Sequence, residues 1–296
     1  MKQENIELEQ LYTEYKSLLF SLAYRMLGSV MDAEDIVHEA FLTFDKVEDK
    51  QAIKNVKAYL CKITTNRCID LLRSSAHKRE TYVGTWLPEP VGEEYMQDPA
   101  TSYYRKESVT TAYLMLLQQL SEVERAVFLL REVFQYDYDE IASMVDKSST
   151  NCRQIFYRAK KSLGYEETDY RKEYTQFSSY IERFTTALQK GEVSEVLQML
   201  QKDAIFFSDG GGKVKAALNP IYSAERIVQL LFNLMKKLPN ETLLELKEVN
   251  GGPGIIVRTN GVVTFVVTFE FEARKIKSIY MVANPDKLRA FHENKQ

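Results

Sequence analysis

A chain of 296 residues is too long for one small core and implies two or three domains. With 45% hydrophobic and 27% charged residues it has the make-up of an ordinary soluble protein, and no apolar run nears the roughly 20 residues of a membrane helix. The formal net charge of −3 argues on average against a polyanionic partner, but the charge is unevenly divided. Met31 to Asp49 carries seven acids against Lys46 alone, whereas Ile53 to Glu80 carries seven bases against Asp70 and Glu80. An acidic stretch followed by a basic one implies two partners, a basic protein surface and a polyanion. The opening MKQENIELEQ has no signal-peptide pattern. Cys61, Cys68 and Cys152 have neither metal spacing nor an even count, which fits a reduced, cytoplasmic setting.

Residues 5–80 read as all helix. Leu11, Tyr15, Leu18, Leu19, Leu22 and Met26 recur at helical spacing, Gly28 fits a helix stop, and Asp32 with Asp35 resembles a capping arrangement for the next helix. That helix turns Ile36, Ala40, Phe41 and Phe44 inward and leaves Asp32, Glu34, Asp35 and Glu39 outside. A third helix, Val56 to His77, has Leu60, Ile63, Leu71 and Leu72 as apolar positions. Cys61 and Cys68, seven apart on it, suit core packing. Residues 81–110 break the pattern, because Pro88, Pro90 and Pro99 preclude a continuous helix. The only tryptophan, Trp86, lies there, and a disordered linker seldom needs Trp-Leu-Pro, so the segment is expected to dock.

Residues 111–165 return to helix. Ser121-Glu-Val-Glu124 is a capping box opening a helix with Ala126, Val127, Leu129 and Leu130. Asp137 to Leu163 then reads as two short helices joined by a tight turn. The first carries Ile141, Ala142, Met144 and Val145; Ser148 is a good N-cap for the second, whose Cys152, Phe156, Ala159 and Leu163 share a face. Lys147 to Leu163 holds five bases and no acid. A small apolar seam with a basic, amide-bearing outer face suits a helix lying in a DNA major groove.

After Gly164, Tyr174 to Leu200 reads as helix with a seam of Phe177, Tyr180, Ile181 and Phe184. From Ala204 strands are expected, with Lys215-Ala-Ala-Leu218 resuming after Asp209-Gly-Gly-Gly-Lys213. Asn260-Gly261 marks a hairpin, and KIKSIYMVAN forms the last strand before Asn284-Pro285. The Gly-rich loop lacks the spacing and the Lys-Ser/Thr ending of a P-loop, which argues against nucleotide binding. Its glycines allow close approach by another segment, and the interdomain linker is the expected visitor.

These residues carry a resemblance. Tyr24-Arg-Met-Leu-Gly28 followed by Asp32-Ala-Glu-Asp-Ile-Val-His-Glu-Ala-Phe41, and the run Ala58 to Arg73, look like region 2 of the bacterial sigma-70 superfamily. The tandem helices at 137–163 resemble sigma region 4, and the pairing without other regions is similar to the extracytoplasmic-function sigma factors. Residues 172–290 resemble the SnoaL-like fold. Trp86-Leu-Pro-Glu-Pro90, Asp209-Gly-Gly-Gly-Lys213 and Asn284-Pro-Asp-Lys-Leu288 look like the subgroup in which that domain is fused to the sigma factor. The implied architecture is multidomain: two all-α sigma domains (region 2 bundle, 5–80; region 4 helix-turn-helix, 111–165) joined by linker 81–110. An α+β SnoaL-like cone (172–290), a curved sheet with helices in its concave face, follows.

The resemblance implies a sigma subunit that binds core RNA polymerase and recognises −35 and −10 promoter elements. Asp32, Glu34, Asp35 and Glu39 would meet the clamp helices of the polymerase's largest subunit. Asn66 would hold an unpaired −10 base, with Lys62, Arg67 and Arg73 on phosphates. Arg153 and Gln154 are candidates for −35 base edges, with Ser149, Arg158 and Lys161 on phosphates. The recognition helix opens Ser148-Ser-Thr-Asn-Cys152, without the family's usual glycine and valine, which leaves promoter preference open. Trp86, Leu87, Pro88, Asp209, Gly210, Gly211, Gly212, Lys213, Asn284, Pro285 and Asp286 would form an interdomain regulatory contact between the C-terminal domain and the sigma domains or linker. Nothing calls for a cofactor, metal, membrane or catalytic residue. An enzymatic C-terminal domain is disfavoured, since His292 is its one histidine. The alternative is a small-molecule sensor whose pocket Phe206, Phe207, Phe265, Phe269 and Tyr280 could line, although the same aromatics could simply fill the core.

Overall fold

The computed structural model describes residues 2–92, 109–164 and 170–291, so Pro99 and His292 lie outside the described residues. These residues fall into two compact units. One is built from the chain up to Lys78 and from Leu114 to Gly164; the other from Arg79 to Gly92, Val109 to Tyr113 and Tyr170 onward.

The first unit is helical. Helices α1 (Lys2–Leu27) and α2 (Val30–Asp45) pack together across a turn in which Gly28 adopts φ +69°. Leu19, Leu22, Ala23 and Met26 of α1 are fully covered, as are Ala33 and Ala40 of α2. The cap of α2 is Ser29, not the expected pair of aspartates: its hydroxyl accepts from Asp32 N at 3.2 Å. Serine is among the best N-caps because its short side chain reaches an orphan N–H of the first turn, and that leaves the carboxylates free to face out. Helix α3 (Val56–Glu80) buries Leu60, Cys61, Cys68 and Ile69. Burial pushes the Cys61 thiol up to about 11 and the Cys68 thiol higher still. Both are expected to resist iodoacetamide at neutral pH in the folded protein and to react once it is denatured.

Helices α4 (Thr111–Leu117), α5 (Glu122–Glu132), α6 (Tyr138–Val145) and α7 (Ser149–Leu163) follow. The Ser121–Glu124 capping box is present at α5, and Asp137 forms a second at α6. A left-handed Asp146 (φ 52°) ends α6, and Ser148 caps α7. These caps fix the tight turn between the last two helices. The seam of α7 is Cys152, Ile155, Ala159 and Leu163; Phe156, assigned to it from sequence, is half-buried and stacks on Phe128 with ring centroids 6.0 Å apart.

The second unit is a six-stranded sheet with helices on one face. Helix α8 (Tyr170–Lys190) stops at Gly191, whose φ of +79° no β-carbon favours, and α9 (Val193–Met199) leads into β1 (Leu200–Asp209). Strands β2 (Ile221–Tyr222), β3 (Thr242–Val249), β4 (Gly252–Thr259), β5 (Val262–Glu272) and β6 (Lys275–Val282) complete the order β2-β1-β6-β5-β4-β3. The pairing of β1 with β6 is parallel and the rest antiparallel. Register shifts at Val257/Arg258 and Glu270/Phe271 are the kind of irregularity that bends a sheet. Asn260-Gly261 makes the expected hairpin, both residues at positive φ. Lys215 to Leu218 is not a strand, and a helix α10 (Ala224–Met235), capped by Ser223, was not anticipated. Ile181, Phe184, Ile227 and Val228 from α8 and α10 share one core with Phe206, Val257, Phe269 and Ile279 from the sheet.

Candidate functional site

The linker docks on the C-terminal sheet, and its anchor is Asp209 at the end of β1. Asp209 is wholly buried. Its Oδ1 accepts from the Tyr82 hydroxyl at 2.6 Å and from Gly211 N at 3.0 Å; its Oδ2 accepts from Leu87 N at 2.9 Å and from the Lys287 ammonium at 2.7 Å. Lys287, only 7% exposed, also donates to Leu87 O and lies 3.9 Å from the centroid of the Trp86 ring. A buried carboxylate survives only if paired and hydrogen-bonded, and here both conditions are met by groups from three separate segments.

Leu87 is the inserted wedge, at 0% exposure, with Pro88, Pro90 and Val91 covered behind it. Trp86 is half-buried and roofs Lys287 instead of filling a pocket. Farther along, Val91 and Asn250 exchange two hydrogen bonds, Asn250 N to Val91 O at 2.9 Å and Val91 N to Asn250 Oδ1 at 3.2 Å. An antiparallel bridge between Gly92 and Val249 extends this contact. Thr268 Oγ1 donates to Thr111 Oγ1 at 2.8 Å, so the first residue of α4, next after the linker, touches the same sheet.

The glycines act one step removed from the linker. A β-carbon on Gly211 (φ +58°) would fall on the Asn284 side chain, and one on Gly210 would meet Val214 O and Ala216. Only Gly212 (φ +71°) abuts the linker, with Val83 3.2 Å from where its β-carbon would lie. Asn284 donates to the Tyr82 hydroxyl at 3.0 Å and accepts from Asp286 N at 3.1 Å. Pro285 is exposed and opens the final 3-10 turn, Pro285–Phe291. Lys213 and Asp286 form an outer ion pair, and Lys213 holds the Asp286 carboxyl below its usual range. Tyr82 and Lys287 are the residues of this anchor that sequence reasoning missed. Lys287 could have been found, since it stands inside the quoted Asn284–Leu288 motif.

Two expectations follow. Gly211→Ala adds backbone strain to a clash with Asn284, so the melting temperature of the C-terminal unit should fall by several degrees while Gly261→Ala, with open space around it, costs less. Burial, then the hydrogen bond to Asp209, raises the Tyr82 phenol well above its ordinary 10.0. A raised acid favours the folded state in full below pH 10 and loses that contribution as pH climbs toward the folded value. Stability should therefore drop more steeply above pH 10 in the parent than in Tyr82→Phe, as read by thermal denaturation against pH.

In the helical unit, Glu34, Asp35 and Glu39 are exposed on α2 and Asp32 is half-buried. Met31 and Leu42, exposed apolar residues, flank them. On α3, Lys62, Arg67 and Arg73 are exposed and Asn66 is half-buried in mid-helix, so it is not a cap. Arg67 Nε lies 3.6 Å from Glu39, and Arg73 Nε pairs with Glu122 at 2.8 Å. On α7, Arg153, Gln154, Arg158 and Lys161 are exposed and Ser149 is half-buried at its first turn. Tyr157, absent from the sequence-derived candidates, is 71% exposed and lines the same concavity as Arg153, Gln154 and Arg158.

Residues 11–78 match the model for Sigma-70 region 2 and residues 110–163 that for Sigma-70, region 4. The chain is 28% identical over 294 residues to the ECF RNA polymerase sigma factor SigJ of Mycobacterium tuberculosis, covering 93% of this chain and 92% of that protein. The chain is an alternative sigma factor, homologous along its length to extracytoplasmic-function members. This sigma factor is also 27% identical over 284 residues to the probable ECF RNA polymerase sigma factor SigI of the same organism, across 93% and 94% of the two chains. Against the crystal structure of the Mycobacterium tuberculosis SigJ it superposes with a TM-score of 0.76 at 26% identity, over 95% of this chain and 98% of that one. Its helical sigma domains are thus followed by a mixed α/β domain of the SnoaL-like kind, and its named relatives are sigma factors rather than enzymes. No described helix is long and apolar enough to cross a membrane.

Proposed function

We propose that this sigma factor joins core RNA polymerase through the acidic face of α2, holds the opened −10 element with α3, and reads the −35 element with α7. The separation of α7 into a covered seam and an outer face of Arg153, Gln154, Tyr157, Arg158 and Lys161 is the observation that carries the reading. Arginine and glutamine read base edges in the major groove, while the remaining cations position the helix on phosphates. The exposed carboxylates of α2, flanked by Met31 and Leu42, suit a basic helical surface such as the clamp helices of the largest subunit. The protein works in the cytoplasm, where the polymerase supplies all the chemistry and the sigma factor needs no cofactor.

The free chain must open to do this. Within the helical unit Arg125, 4% exposed, donates to Met26 O; the Tyr136 hydroxyl donates to Cys61 Sγ at 3.3 Å; and Arg73 is engaged by Glu122. α7 is about 22 Å long and packs on α5, where Glu122 stands. The two promoter elements lie about 25 base pairs apart, on the order of 85 Å of duplex. A unit closed on itself in this way cannot span them. We therefore read the linker's attachment to Asp209 and Lys287 as a restraint on opening, the means by which the C-terminal domain modulates the sigma domains. Glu122→Gln should raise the free chain's affinity for promoter DNA about two- to fivefold, the range of an exposed ion pair, by fluorescence anisotropy.

Footprinting tests the reading with the assembled holoenzyme on a promoter selected from random DNA. Protection of two segments about 25 base pairs apart is expected. Arg153→Ala with Gln154→Ala should lose the upstream segment, and Asn66→Ala should lose permanganate reactivity in the downstream one. Uniform or absent protection would refute it.

A further inference from the structure

Arg153 is held differently from the two arginines of α3. Arg67 lies 3.6 Å from Glu39 and Arg73 pairs with Glu122 at 2.8 Å, so an acid engages each. The Arg153 guanidinium instead lies 5.3 Å from the centroid of the Tyr138 ring. A carboxylate occupies an arginine's N–H donors and offsets its charge, whereas an aromatic face orients the guanidinium and leaves its donors available. Tyr138 is fixed well enough to serve as such a face. It is the first residue of α6, and the capping box sets its backbone: Asp137 Oδ1 accepts from Asp139 N at 3.0 Å and Glu140 N at 2.9 Å, while Glu140 Oε2 accepts from Asp137 N at 3.2 Å. Its half-buried ring meets Phe156 edge-on, centroids 6.2 Å apart, and Phe156 stacks on fully covered Phe128 of α5. Arg131, whose guanidinium lies 4.9 Å from the centroid of the Tyr138 ring, donates to Tyr136 O at 2.9 Å. A row of rings thus runs from the covered core of these helices to an exposed arginine in the second turn of α7.

We propose that Tyr138 is a positioning residue for promoter reading, whose ring holds Arg153 with its paired donors aimed at a guanine of the −35 element. Residues near the N-terminus of a recognition helix face base edges, and arginine takes guanine O6 and N7 together through two N–H donors. Both donors must point correctly at once, so a side chain ordered beforehand loses less freedom on binding. Tyr138 acts through Arg153 and need not touch DNA. The inference rests on the reading of α7 as the −35 helix; it adds the base that Arg153 selects and the residue that sets the selection.

The test is competition binding of the holoenzyme, assembled with the full chain, to a selected promoter and to every single-base variant of its upstream element. The parent should prefer one G·C pair over its replacements by roughly 5- to 150-fold, the range of a bidentate base contact. Arg153→Ala should erase the preference at that pair alone. Tyr138→Leu should reduce it there about two- to fivefold, the range of an exposed cation–π contact. Preferences at the other pairs and the salt dependence should not change, since no phosphate contact is lost. Tyr138→Phe keeps the ring and should retain the parent's preference. Tyr138→Met is a second ring-removing variant, and whichever of the two keeps the parent's circular dichroism decides. No reduction in that variant, a reduction spread evenly over all pairs, an equal reduction in Tyr138→Phe, or an Arg153-dependent pair other than G·C would overturn the proposal. A parent without preference at any upstream pair would overturn the −35 reading itself, and the proposal with it.

Discussion

Asp209→Ala should cost the C-terminal unit about 3–5 kcal/mol, the penalty for breaking a buried ion pair by removing one partner. The substitution strands the ammonium of Lys287 and the amide of Leu87 in a covered environment. It also removes the acceptor of Tyr82, so the linker should leave the sheet. Trp86, the only tryptophan, reports this directly through a red-shifted emission, and limited proteolysis should cut between Thr81 and Gly92. Lys287→Met should behave similarly. The double change Asp209→Leu with Lys287→Met should recover much of the stability, because a well-packed apolar pair replaces the ionic one, but not the linker contact, which needs the carboxylate. Equal proteolysis of parent and Asp209→Ala would show that the anchor does not hold the linker.

Asp35→Lys combined with Glu39→Lys should weaken association with core polymerase about a hundredfold or more. Like charges placed against a basic surface cost several kcal/mol, and each 1.4 kcal/mol is tenfold in affinity. Both carboxylates are exposed on α2, so the fold should be unaffected. Glu39 also neighbours Arg67 at 3.6 Å, which makes Asp35→Lys alone the cleaner variant. Asp45→Lys with Glu48→Lys, which carries the same charge change beyond the proposed face, is the control. Fluorescence titration of labelled sigma factor with core enzyme at two salt concentrations separates specific loss from general electrostatics.

The helical half was legible because its signals are local. The Ser121–Glu124 box, the Ser148 cap and the apolar seam of α7 each depend on residues within a few positions of one another. Where a neighbour offered a better cap, as Ser29 did for α2, the reading slipped by one turn's worth of residues. The C-terminal half was harder for a physical reason. Helix α10 was hidden between a Gly-rich loop and a Pro-Asn turn, although Ile227, Val228, Leu231 and Leu234 carry a helical period. The β5–β6 turn uses Ala273 and Arg274, both at positive φ, residues that give no turn signal.

The anchor illustrates the same limit. The motifs around Trp86, Asp209 and Asn284 could be named from sequence, but Tyr82 and Lys287 gain their meaning from contacts 127 and 78 residues away in the chain. Local pattern carries no information about such pairings. The Gly-rich loop was expected to receive the linker; its glycines mainly admit Asn284, which in turn holds Tyr82.

The most direct measurement is run-off transcription with purified core polymerase on a promoter library, using the full chain beside its Asp209→Ala variant. The account predicts promoter-specific transcripts from both, sharing two upstream elements about 25 base pairs apart, with the released linker raising the yield severalfold. Silence from both folded proteins would contradict the sigma function. Equal yields would leave that function standing and contradict the restraint.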